Sequence, residues 1–166
     1  MNIQSQLKNA LKEFPIRWED ASKLHLTVQF LGDTDFNTLE YLKSNFKKLK
    51  TGFKKINLRL NGIGFFPNEK FPKVVFASLE DDNNKCLQLA EKIKSITEKF
   101  GFEETKNFVP HITLGRYKTN GRKLQGFVPQ INFEPKEFTF DSFYIMKSEL
   151  ASSGSKYSVV DEFRLS

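Results

Sequence analysis

"KLHLTVQFLG", Lys23 to Gly32, alternates the apolar residues Leu24, Leu26, Val28 and Phe30 with His25, Thr27 and Gln29. A period of two is the pattern of a strand with one buried face, so the spacing predicts a strand that presents His25 and Thr27 together on the other face. His25 is one of only 2 histidines in the chain. The other, His111, stands in "PHITLGR", Pro110 to Arg116, and is followed by the same frame of apolar residue, threonine and apolar residue.

The two histidines are 111 − 25 = 86 positions apart, and the same offset carries Ile3 onto Leu89, Leu7 onto Ile93, Ala10 onto Ile96, Phe14 onto Phe100 and Ile16 onto Phe102. A helix, a connector of constant length and a His-x-Thr strand are thus used twice without a gap. Two such copies about an approximate two-fold axis would set the two His-Thr pairs on opposite sides of one groove. The offset also exposes a deficit. The strand "VVFA", Val74 to Ala77, precedes the second helix, and its counterpart would fall about 12 residues before Met1 (74 − 86 = −12). The first copy is therefore expected to lack its opening strand, either because the chain has been shortened at its N-terminus or because the sheet tolerates a gap whose neighbour has an unpaired edge.

Between the copies, Leu39, Leu42, Phe46 and Leu49 predict a helix from about Asn37 to Lys50, and "INLRLNGIGFF" and "KVVFASL" read as strands. The second helix, from about Asn84 to Phe100, carries Leu89, Ala90, Ile93, Ile96 and Phe100 on one side and ends at a capping Gly101. "EFTFDSFYIM" and "KYSVVDEFRL" read as two further strands, joined by the flexible connection "SELASSGSK". "GDTDF", Gly32 to Phe36, reads as a loop with a helix cap rather than a cation site.

The 166 residues suit one domain with a substantial core, and 39% hydrophobic residues, 18 Phe among them, argue against disorder. No apolar run approaches the roughly 20 residues of a membrane span. The N-terminus lacks the pattern of a secretory leader and the single Cys86 has no internal disulfide partner, which together favour the cytoplasm. Cys86 itself reads as a half-buried structural residue. The net charge of +6 suits a polyanionic partner without requiring one, and the lysines of "LKSNFKKLKTGFKK" read as a solvated helix face.

Two facing imidazoles can serve as general base and general acid near neutral pH, and a threonine beside each can donate a hydrogen bond to an oxygen held between them. A phosphodiester, which needs a proton removed on one side and delivered on the other, fits that layout. Two histidines are too few ligands for a closed zinc site and neither motif holds a carboxylate, so no metal or other cofactor is expected.

"HLTV" and "HITL", "RW" seven residues before the first, "FLG" after it, "GIGFFP", "FVPHITLGR" and "SELASSGSKYSVV" together resemble the 2H phosphoesterases. Among them the chain is most similar to the RNA 2′,3′-cyclic phosphodiesterases, long called 2′-5′ RNA ligases, over essentially its whole length. The resemblance implies a single α+β domain spanning 1–166, bilobal and duplicated, with two antiparallel sheets, helices outside and a central cleft. It implies metal-independent hydrolysis of an RNA 2′,3′-cyclic phosphate to a 2′-phosphate, with 2′-5′ ligation as its reverse. It further implies His25 as proton donor to the departing 3′ oxygen, His111 as the base that activates water, and Thr27 and Thr113 as phosphate ligands. Arg116 matches a position where the family often has a basic residue near the phosphate, yet strict alternation turns it away from His111 unless Gly115 permits a bulge.

The expected partner is an RNA end or a cyclic nucleotide, bound by a monomer with no membrane attachment. Two other readings fit the same residues: a sister enzyme acting on small cyclic nucleotides or 2′-5′ linked oligonucleotides, and a non-catalytic RNA-end binder. Trp18, Phe65 and Phe66 are candidates to stack on a base, although each also suits the core.

Overall fold

Leu7 and Leu11, one helical turn apart, are both buried, and they anchor helix α1 (Ile3–Ala10) and the turn after it. The computed structural model describes residues 3–81, 83–102, 107–118, 136–151 and 154–166. The chain continues through β1 (Ile16–Trp18), α2 (Phe36–Leu49), β2 (Ile56–Phe66), β3 (Val74–Glu80), α3 (Lys85–Thr97) and β4 (His111–Tyr117). It ends with β5 (Glu137–Phe140), β6 (Ser142–Ala151) and β7 (Gly154–Arg164). One sheet has the order β1-β4-β3-β2-β5, and β6 and β7 form a second sheet of two strands. The pairs β1–β4, β4–β3, β3–β2 and β6–β7 are all antiparallel, so the architecture is α+β.

Two compact units share these elements. The first comprises Met1–Thr27, Arg59–Glu80 and Pro110–Glu137, and the second Val28–Leu58, Asp81–Val109 and Phe138–Ser166. The division does not follow the two sequence copies, because α1 falls in the first unit and α3 in the second, whereas both His-x-Thr motifs fall in the first. The core of the first unit is built on Leu7, Leu11, Ile16, Phe65, Val75, Leu79 and Leu114. The second is centred on Phe46, whose ring meets Phe143 and Phe163 edge-on at 5.8 and 5.6 Å, with Leu42, Leu89 and Ile93 also buried.

Local chemistry explains most boundaries. Asp35 accepts from the Thr38 amide at 3.0 Å and caps α2, so "GDTDF" is the loop and cap the sequence suggests. Gly101 adopts φ 77° after α3, as a left-handed terminator does. "EFTFDSFYIM" is two strands rather than one, with Asp141 between them. The hairpin ladder runs as far as Ala151↔Gly154, so most of "SELASSGSK" is strand; Ser152 and Ser153 lie outside the described residues.

One expectation is corrected. Leu24 to Phe30 is not a strand: it makes a single bridge, Leu26 to Ile112, and Phe30, expected in the core, is 71% exposed. By the register of that bridge Val28–Phe30 would face 108–110, which lie before β4 begins at His111 and include Pro110, which has no amide to donate, so the ladder has no partner strand there. The three residues of β1, read from the sequence as part of a connector, are too few to show periodicity.

Cys86 is buried near the start of α3, and burial together with the neighbouring Asp81 pushes its thiol up to about 12. The reactive thiolate is therefore scarce at pH 8 in the native state. Labelling with a thiol-specific disulfide reagent at pH 8 is expected to be at least ~100-fold slower for the native than for the denatured chain. Equal rates would contradict this placement.

Candidate active site

The bridge between Leu26 and Ile112 fixes how the two motifs meet. In an antiparallel pair the positions of opposed residues have a constant sum, here 26 + 112 = 138, so continuing that register by one residue each way would set His25 opposite Thr113 and Thr27 opposite His111. His111 and Thr113 lie on the face of β4 turned away from Ile112, and the same alternation about Leu26 would put His25 and Thr27 on it, each histidine beside the threonine of the other motif. With about 5 Å between opposed Cβ atoms and about 7 Å between alternate residues of a strand, that register would set the histidines at opposite corners, ~9 Å apart, of a rectangle with the threonines at the remaining two.

Arg116 joins this face through a bulge. Phe76 pairs with Thr113 and Val75 with Gly115, so Leu114 is an extra residue in β4. The insertion inverts the alternation beyond it, and Arg116, opposite Val74, shares the face of His111, Thr113, Ser78 and Phe76. The condition read from the sequence is met at the expected place. Two contacts hold the bulge. The Leu114 carbonyl accepts from the Glu19 amide at 2.9 Å and from the side chain of the buried Gln4 at 3.3 Å. A Cβ on Gly115 would lie 2.7 Å from Cγ2 of Ile16, so only glycine lets β1 approach this closely. Arg116 itself faces Glu19, Nε to Oε1 at 3.6 Å, with half its side chain exposed.

His25 is exposed, and its Nδ1 lies 2.6 Å from the Lys23 carbonyl oxygen. A carbonyl only accepts, so Nδ1 carries the hydrogen and proton exchange falls to Nε2. His111 is half-buried, its ring set edge-on against Phe66 at 5.0 Å and Phe76 at 5.3 Å. Phe66 and Phe76 stack on each other at 4.1 Å and an interplanar angle of 22°. Beneath them Gly64 has no room for a side chain, because an added Cβ would collide with Cζ of Phe76. Gly64→Ala is expected to displace the Phe76 ring, costing about 1–3 kcal/mol of stability in denaturant titration and lowering activity through His111. An unchanged midpoint would contradict that packing.

Of the stacking candidates, Phe65 is buried, Trp18 belongs to the opposite face through its pairing with Gly115, and Phe66 lies beside His111. Nothing in the sequence alone singles out Phe76, Gln4 or Arg17 as site-forming. The available signal for Arg17 and Phe66 is "RW" and "GIGFFP", whose faces stay undefined until the register is known. Among the described residues no three His, Cys, Asp or Glu side chains cluster so as to hold a metal ion, and no helix is long and apolar enough to cross a membrane.

Two imidazoles and two hydroxyls so grouped, beside an arginine, would suit acid–base chemistry on a phosphoester. Comparison with known proteins agrees with that class. A family model described as "LigT like Phosphoesterase" matches residues 1–76 and 79–157, and the chain belongs to this family. A relative from Thermotoga maritima named RNA 2′,3′-cyclic phosphodiesterase is 30% identical, over 90% of this chain and 79% of its own. One of the same name from Aquifex aeolicus is 32% identical, over 90% and 81%. A crystal structure of a Thermus thermophilus protein superposes with a TM-score of 0.77 at 29% identity, covering 98% of this chain and 89% of that one. Escherichia coli LigT complexed with 3′-AMP shares the fold, with a TM-score of 0.74 at 21% identity, covering 98% and 91%.

Proposed function

We propose that the chain, acting as one domain over residues 1–166, hydrolyses RNA 2′,3′-cyclic phosphate ends to 2′-phosphomonoesters by a metal-free reaction between two histidines. The observation that supports this reading is the Leu26–Ile112 bridge, which brings the two His-x-Thr motifs side by side. The names of the relatives favour the substrate. His111 removes a proton from the attacking water, the new P–O bond forms in line, and the P–O3′ bond breaks as Nε2–H of His25 protonates the departing 3′ oxygen. The pair's total proton count is unchanged, because His111 gains one proton and His25 gives one up, and exchange of a proton with solvent at each ring returns both to their starting states. Thr27 and Thr113 donate to the non-bridging oxygens, where charge builds in the transition state. Arg116, brought to this face by the bulge, adds positive charge near the phosphate. The burial of the lone Cys86 suits a reducing cytoplasm.

The direct test is turnover of a short RNA ending in a 2′,3′-cyclic phosphate, measured in excess EDTA. Sustained turnover is expected. Its loss in EDTA with recovery on adding a divalent metal would overturn the metal-free mechanism. Faster hydrolysis of 2′,3′-cyclic mononucleotides or 2′-5′ linked dimers than of this RNA would move the substrate to that class.

A further inference from the structure

Arg17 is directly opposite Arg116 where β1 pairs with β4, and the pairing places both on the face of His111 and Thr113. Like charges directly opposed on a strand pair are destabilising, so this arrangement works against the local sheet unless an anion sits between them. Glu19 meets Arg116 at 3.6 Å, whereas among the described residues Arg17 and Lys118 have no ion-pair partner. Arg17, Arg116, Tyr117 and Lys118 line an open cleft of about 340 Å³. Lys118 follows Arg116 by two residues in the chain, and its amide donates to the Pro15 carbonyl at 2.8 Å, holding it beside β1. Three cations and one carboxylate therefore converge at the end of the site face.

We propose that Arg17, with Arg116 opposite and Lys118 beside them, forms a second anion subsite for the phosphodiester on the 5′ side of the terminal nucleotide. This rests on the reaction assigned above. From Thr113 to Arg116 is three residues, one of them absorbed by the bulge, which leaves about two strand steps or ~7 Å, the scale of one nucleotide unit in an extended chain. The reacting cyclic phosphate at the histidines and the preceding phosphate at Arg17 and Lys118 would then lie along the face of β4, with the charge of Arg116 between the two. Arginine's planar fork suits a phosphate's paired oxygens, and contacts of this kind position a strand without reading its bases. The subsite gives the enzyme a reason to prefer an RNA end to a free cyclic mononucleotide.

The test compares kcat/KM on three substrates: adenosine 2′,3′-cyclic phosphate, its 5′-phosphorylated form, and the dinucleotide ApA ending in the cyclic phosphate. The wild type is expected to favour the dinucleotide over the unphosphorylated mononucleotide, and in Arg17→Gln that ratio is expected to fall about 10-fold, mostly through KM. The 5′-phosphorylated mononucleotide separates a terminal monoester from a diester as the group recognised: preference for the dinucleotide over it assigns the diester, and the reverse would overturn that assignment. The salt dependence of RNA binding should also flatten, its logarithmic slope falling by about 0.7 for one lost phosphate contact on a single strand.

Removing one of two opposed charges should leave the thermal midpoint at or above that of the wild type. A dinucleotide-to-mononucleotide ratio within twofold of wild type in Arg17→Gln would overturn the subsite. So would a lowered midpoint with equal loss on every substrate, which would make Arg17 structural. If the wild type turns over none of these substrates, the assigned reaction fails separately. Titration of 5′-phosphorylated ApA ending in a 2′-phosphate then decides the subsite, with about 10-fold weaker binding by Arg17→Gln expected and a change under twofold overturning it.

Discussion

His111→Ala is expected to slow hydrolysis of an RNA cyclic phosphate by about 10²–10⁴-fold while retaining a cooperative thermal transition. The ring is half-buried against Phe66 and Phe76, but those two rings also stack on each other, so their platform does not depend on the imidazole. In the proposed role of base, His111 would accept a proton from water only when unprotonated. The wild-type rate should therefore fall on the acid side as this imidazole takes up a proton. The residual activity of His111→Ala should have lost that acid-side fall while keeping the alkaline one. A variant within tenfold of wild type, or one with an unchanged acid limb, would remove His111 from the base role.

His25→Ala should cost a similar factor, ~10²–10⁴-fold, for the opposite reason. Its Nδ1 hydrogen is committed to the Lys23 carbonyl, so only a doubly protonated ring can deliver Nε2–H to the leaving oxygen. Activity should decline on the alkaline side as that proton is lost, and the decline should vanish in His25→Ala. The roles can also be separated by the leaving group. A nitrophenyl phosphodiester expels an anion that departs without a proton, so His25→Ala should be impaired far less on it than on the cyclic phosphate. His111→Ala should be impaired on both. Equal losses for both variants on both substrates would contradict the division of labour.

The rarity of histidine made the two motifs legible from the sequence, and alternation placed each His with its Thr. Long periodic segments were legible too: α2, β2, β3 and α3 fall close to where their spacing put them. What the sequence could not show depends on partners distant along the chain. The bulge at Leu114 is held by Glu19 and Gln4, and it decides on which face Arg116 lies. Adjacent Phe65 and Phe66 point to opposite faces of β2, and only the pairing with Val75 and Val74 tells which one reaches His111. Leu24 to Phe30 has the pattern of a strand yet lacks most of its ladder, because the positions its second half would face, 108–110, precede β4. Propensity set the pattern there, and the lack of a partner strand set the outcome.

The measurement that bears most directly on the two-histidine site is the identity of the product from a defined oligonucleotide ending in a 2′,3′-cyclic phosphate, read by phosphorus NMR with EDTA present. A 2′-phosphate formed by the wild type, and lost in both histidine variants, is the expected result, since protonation of the 3′ oxygen by His25, as proposed, would select that bond. A 3′-phosphate, or the same product formed undiminished by either variant, would contradict it.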